Sequence, residues 1–136
     1  MRKVSSQARL SRSVPATSDS VAPLRHAVAD FAEEHGASER TVEAVSLALS
    51  EALTNAAVHA YRDADEPGPV NVTAAVRDES LVLIVADKGA GMAPRADSPG
   101  LGLGLGLMAT LADRFEIDSD GGRAGVVLRM TFPLAK

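Results

Sequence analysis

From Ser38 to about Tyr61 the apolar residues Val42, Val45, Leu49, Leu53 and Ala56 recur at offsets of three and four. Residues so spaced share one face at 3.6 residues per turn, so the stretch predicts a long amphipathic helix. Val21, Leu24, Val28 and Phe31 repeat the pattern in a second helix running to about His35. Thr17, Ser18, Asp19 and Ser20 offer N-cap oxygens to it, and Gly36 closes it. Elsewhere the period falls to two. Ala8 to Val14 alternates weakly before Pro15 and predicts an edge strand. Val70 to Val76 alternates cleanly, so one face is wet. Leu81 to Ala86 is apolar on both sides, the pattern of a central strand covered on both faces. The short polar joint between these two strands predicts an antiparallel hairpin. After a Gly- and Pro-rich segment from Asp87 to Gly104, Leu105 to Arg114 predicts a short helix. A second hairpin follows, Phe115 to Asp118 and Ala124 to Phe132, turning around Asp120, Gly121 and Gly122.

The predicted order is β-α-α-β-β-α-β-β. Strands in runs, with helices gathered elsewhere, point to an α+β two-layer sandwich and not to an alternating parallel α/β fold. With 136 residues the chain fits one domain, 1–136, in which residues 1–6 read as a loose terminus. The doubly apolar strand at Leu81 to Ala86 asks for a covering partner, either a second layer or a homodimer.

A helical wheel places chemistry opposite the apolar stripe of the long helix. At about 100° per residue, Asn55 lies about 40° and His59 about 80° from Glu51, while Leu49, Val42 and Leu53 fall near 180°. A carboxylate, an amide and an imidazole therefore line one edge, one turn apart. Taken alone, three polar residues at this spacing are most often a solvated face. The segments that follow change that reading.

Asp87 ends an apolar strand and is followed by Gly89 and Gly91. A carboxylate there is costly to bury without a donor, and an adenine exocyclic amine is such a donor. Glycines beside it let a backbone approach a flat ligand. An ordinary strand-end turn also favours Asp and Gly. Next, Gly100, Gly102, Gly104 and Gly106 alternate with leucines and lead into a helix. Exposed N–H groups at a helix start suit phosphates. The dinucleotide fingerprint fails here at its third glycine, because Leu105 stands in its place, and it lacks the preceding strand. No G-x-x-x-x-G-K-S/T is present.

Composition removes other classes. Aromatic residues are 3% of the chain, with no Trp, so base-stacking platforms are missing. A net charge of -4 argues against a general nucleic-acid binder. No Cys means no disulfide framework and no thiolate metal site, as fits a reducing cytoplasm. No apolar run is long enough to span a bilayer, and the basic N-terminus is not followed by a secretory apolar core.

In this order, an E-x-x-x-N-x-x-x-H helix, a D-x-G-x-G turn and a glycine-rich lid resemble the GHKL ATPases, the gyrase, heat-shock chaperone, histidine kinase and MutL group. The resemblance covers roughly Asp19 to Pro133. Among these proteins, a domain this short most resembles the bacterial anti-sigma-factor serine/threonine kinases. The resemblance implies the histidine kinase-like ATPase fold, a mixed and mostly antiparallel sheet with helices on one face. It implies ATP and Mg²⁺ as cofactors, with Asn55 holding Mg²⁺ and His59 completing the helix motif. Asp87 would accept the adenine amine, with Gly89 and Gly91 beside the base. Gly100, Gly102, Gly104 and Gly106 would close over the phosphates, Thr131 would support adenine through water, and Glu51 would be the general base. The implied partners are an anti-sigma-factor antagonist, phosphorylated on Ser or Thr, and a sigma factor. Two departures stand out: Lys88 directly follows Asp87, and no arginine lies within Gly100 to Gly106, leaving Arg95 or a partner to supply one. The alternatives are an ATP-binding partner-switching module without phosphotransfer and, resting only on the glycine string, a dinucleotide enzyme.

Overall fold

A computed structural model describes residues 8–60, 65–88, 101–118 and 125–134. The chain runs β1 (Arg9–Pro15), a 3₁₀ turn (Ser18–Ser20), α1 (Val21–Glu34), α2 (Glu39–Asn55), a π turn (Ala56–Ala60), β2 (Pro69–Arg77), β3 (Ser80–Asp87), α3 (Leu101–Leu111), β4 (Arg114–Asp118) and β5 (Val126–Pro133). The order read from hydrophobic period is the order observed. The strands form one five-stranded sheet, β1-β2-β3-β5-β4. All four pairings are antiparallel, so no described strand gives the sheet the mixed character expected of it.

Antiparallel register makes directly paired residues share a face. Val70, Val72, Ala74 and Val76 therefore stand beside Asp87, Val85, Leu83 and Leu81. The last four pair in turn with Val126, Leu128, Met130 and Phe132. This face is buried under the helices. Leu24, Val28 and Phe31 of α1, Val45, Leu49 and Leu53 of α2, and Met108 of α3 complete the core. With so few aromatics, β-branched and leucine side chains fill it, and Phe132 and Leu49 are among its largest fully buried members.

Local chemistry sets the ends of the helices. Thr41 N–H donates to Ser38 Oγ at 3.1 Å, an N-cap that satisfies one orphan amide of α2. Gly36 ends α1 at φ +97°, a region that disfavours side chains. Ser20 precedes α1 but makes no capping bond, so the expected side-chain cap is absent there and a 3₁₀ turn leads into the helix.

α3 differs most from expectation. It begins at Leu101, inside the glycine string read as a loop, and ends at Leu111, three residues before Arg114. Packing against α2, with Met108 fully buried, outweighs the roughly 1 kcal/mol that each glycine costs a helix. At the other end Asp113 N–H donates to Thr131 O at 2.8 Å, which draws the chain into β4 at Arg114.

Candidate nucleotide site

Among the described residues three polar side chains are buried: Thr41, Asn55 and Asp87. Ser38 Oγ, at 3.2 Å from Thr41 Oγ1, accounts for the first as part of the α2 cap. The other two are residues singled out from the sequence, one on a helix and one on the helix-covered face of the sheet. Asn55 is the last residue of α2, above the sheet, at 8% exposure. Asp87 is the last residue of β3, on the helix-covered face, at 7%. After the π turn the chain enters β2 at Pro69, and the next residue, Val70, pairs with Asp87.

Asn55 Nδ2 is buried and has no hydrogen-bond partner among the described residues. A buried donor left unmade costs about 1–3 kcal/mol, so this amide asks for an acceptor. A half turn about its terminal torsion would offer the carbonyl oxygen in its place. Glu51 lies one turn earlier on α2 and is half-buried. The two share one edge of α2, but that edge is not opposite the buried side of the helix, because Asn55 is buried beside Ala48 and Ala52. The wheel stops at Asn55, because His59 lies in the π turn, where each turn takes more than four residues and the 100° step no longer applies. Such turns recur at functional sites.

Asp87 stands between Val70 and Val126, each only 1% exposed. The backbone behind it meets a residue that sequence reasoning missed. Gly125, just before β5, has φ +95°, and a Cβ there would lie 2.0 Å from the Asp87 carbonyl oxygen. Glycine at this position lets the start of β5 close against the end of β3. Its signal in the sequence is a lone glycine directly before an apolar strand, which marks a close backbone approach.

Thr131 is not brought to this site. It pairs with Val82 and Arg114 on the open face of the sheet, and the residue beside Asp87 is Val126. Five residues separate the two along β5, and an odd offset on a strand reverses the face. Gly102 and Gly104 lie within α3, not in a lid loop. Gly106 is also helical and exposed, with nothing within 4 Å of where a Cβ would stand. Gly89, Gly91, Gly100 and Arg95 lie outside the described residues.

No cluster of three or more His, Asp or Glu that could hold a metal exists among the described residues. That excludes an all-protein metal cage there.

The family model of the histidine kinase-like ATPase domain matches residues 14–132. The chain belongs to this family. Among curated relatives, the serine-protein kinase RsbW of Bacillus licheniformis is 35% identical over 86% of this chain and 80% of its own length. The anti-sigma F factor of Clostridium acetobutylicum is 30% identical over 88% and 90%. Solved structures share the fold. The RsbU and RsbW domains of Rv1364c from Mycobacterium tuberculosis superpose with a TM-score of 0.74 at 23% identity. The match takes in 95% of this chain and 33% of that one. The histidine kinase domain of the blue-light activated kinase EL346 from Erythrobacter litoralis gives 0.59 at 22%, over 89% and 62%.

Proposed function

We propose that this histidine kinase-like ATPase domain is a serine/threonine-protein kinase that also acts as an anti-sigma factor. It phosphorylates a small antagonist protein and sequesters a sigma factor; two of its relatives are a serine-protein kinase and an anti-sigma F factor. One observation carries the reading: Asn55 and Asp87 are buried polar residues at the ends of α2 and β3, in a chain of this family. No described helix is long and apolar enough to cross a membrane. The reading locates the protein in the cytoplasm, where a sigma factor acts.

The residues present fit Mg²⁺–ATP. Asn55, a buried amide in want of a partner, would hold the metal through its oxygen. Asp87 would accept a hydrogen bond from the adenine amine. When bound, Mg²⁺–ATP supplies the transferable phosphoryl group and the charge neutralisation at its oxygens. Glu51 orients the attacking hydroxyl and takes its proton, one helical turn from Asn55. Most of the rate then comes from positioning and electrostatics. Gly89, Gly91, Gly100 and His59 keep the roles their motifs imply.

The second reading is an ATP-binding partner-switching module that transfers no phosphate. It is favoured by the absence of arginine from Gly100 to Gly106. One experiment separates the two: ATP affinity measured beside labelled phosphate transfer to an antagonist protein. Glu51→Gln keeps the size and removes the base. It should leave ATP affinity nearly intact while lowering transfer about 10²–10⁴-fold. Asn55→Ala should weaken binding itself, and only when Mg²⁺ is present. Undiminished transfer in Glu51→Gln removes this residue from the mechanism. No transfer by the wild type to its own antagonist favours the binding module.

A further inference from the structure

The described helices cover one face of the sheet, and the other face carries arginine. Register sets Arg9 in one row with Ala75 and Val82, and Arg129 in the next row with Ile84 and Thr73. Arg77 lies two residues beyond Ala75 on β2 and so shares that face. All three arginines line one hollow of about 410 Å³, with Val82 and Ile84 between them on β3. Small-molecule sites occupy roughly 300–1,000 Å³, so the hollow has the size of one.

Folding does not ask for these charges. Among the described residues, Arg9 and Arg77 form no ion pair, and Asp78 is the one carboxylate that lines the hollow. Arg129 meets Glu116 only at 3.9 Å, with the two side chains 46% and 64% exposed, a pair worth little. Arg9 and Arg77 are diagonal neighbours on adjacent strands, about 7–8 Å apart, and they repel. Yet the chain as a whole is acidic, with a net charge of -4. We propose that the hollow binds a small organic anion carrying at least two carboxylate or phosphate groups on an apolar body. It lies on the face away from Asp87, so the inference is independent of the nucleotide site.

Spacing sets the ligand. One anionic group can sit between Arg9 and Arg77. Arg129 stands three strands and two residues from Arg9, roughly 16 Å at about 4.8 Å per strand, so it calls for a second group. A lone inorganic phosphate reaches one end only. A guanidinium holds a carboxylate or a phosphate through two parallel N–H bonds, and it is weakly hydrated. Val82 and Ile84 offer carbon contact to the body of the ligand, and Thr73 adds a hydroxyl. Apolar walls beneath a ring of cations focus the field and raise the local concentration of anions.

The test is calorimetric titration of the full chain, with excess ADP and Mg²⁺ present to keep phosphates out of the nucleotide site. The probes are benzene-1,3,5-tricarboxylate and fructose 1,6-bisphosphate, beside inorganic phosphate. At least one of the two is expected to bind about tenfold or more tightly than inorganic phosphate, and the tighter one tells carboxylate from phosphate. Arg9→Gln, Arg77→Gln and Arg129→Gln should each weaken it about tenfold, the loss of one charge-assisted fork. All three residues are exposed, and circular dichroism checks that each variant keeps the fold. Arg40→Gln removes the same charge from the exposed start of α2 and should leave binding within about twofold. Two probes that bind no more tightly than inorganic phosphate overturn the proposal. So does a loss in Arg40→Gln equal to that in Arg77→Gln, which would mean diffuse attraction to a charged surface, and so does binding indifferent to all three arginines of the hollow.

Discussion

Gly125→Ala tests whether the end of β3 is held in place by the start of β5. An alanine Cβ would lie 2.0 Å from Asp87 O, and 2.8 Å from both Asp87 C and Lys88 Cα. Ordinary contact begins at 3.4 Å, so the strands must part locally by more than an ångström. All three atoms are backbone, and none can swing aside. Alanine also resists φ +95°, at about 1–2 kcal/mol. Opening the last rung between Asp87 and Val126 adds about 0.5–1.5 kcal/mol for its hydrogen bond. Together these cost on the order of 2–3 kcal/mol, a fall in Tm of roughly 8–12 °C for a domain of this length. A carboxylate displaced that far no longer meets a base, so ATP and ADP should weaken together, about tenfold or more. Gly36→Ala is the matched control. Its φ is +97°, but nothing lies within 4 Å of the added Cβ, so it bears the backbone cost alone. The assays are thermal unfolding by circular dichroism and calorimetric titration of both nucleotides. If Gly125→Ala matches Gly36→Ala in both, Gly125 does not position Asp87 and the reasoning fails.

Three further outcomes are expected. Asp87→Asn turns an acceptor oxygen into a donor amide facing the adenine amine, which costs about 1–3 kcal/mol; calorimetry should show ATP and ADP both weakened about tenfold, and unchanged affinity in a folded variant would make Asp87 a turn residue. Thr131→Val should leave ATP affinity within about twofold, because Thr131 lies on the face away from Asp87; a clear loss would return Thr131 to the site. Chelation by EDTA should weaken ATP binding by the wild type and leave Asn55→Ala unaffected, and equal losses in both would release Asn55 from the metal.

The elements most legible were those that keep one period along their length. Val42 to Ala56 keeps 3.6, and Val70 to Val76 keeps 2. What escaped depends on pairing or on backbone geometry that hydropathy does not record. The π turn at Ala56–Ala60 shifts hydrogen bonds by one residue without changing any side chain. The start of α3 escaped because Gly102 and Gly104 read as a glycine-rich loop before the helix, and the contact of α3 with α2 is not visible in sequence. Thr131 was assigned by its place on the last strand. The strand's alternation shows which residues share a face, but only register shows which of them stands beside Asp87, and that is Val126. Gly125 likewise acquires meaning only from the strand it touches. The buried pair was legible for the opposite reason: an amide and a carboxylate stand out among apolar neighbours before any contact is known.

Those neighbours show what stability alone selects. Ala48, Leu49, Ala52 and Leu53 precede Asn55 on α2, and Leu83 and Val85 precede Asp87 on the same face of β3, all buried and apolar. A leucine or valine at either position would continue its stripe and add burial energy, about 1.5–3 kcal/mol for a full side chain. An amide and a carboxylate forgo that gain, and the Asn55 amide adds a desolvation cost. They do so at element ends, where α2 loosens into a π turn and β3 reaches its last rung, so neither breaks a run of core packing. Polar groups in place of apolar ones, set where the fold tolerates them best, are what a ligand site built into a stable two-layer scaffold requires.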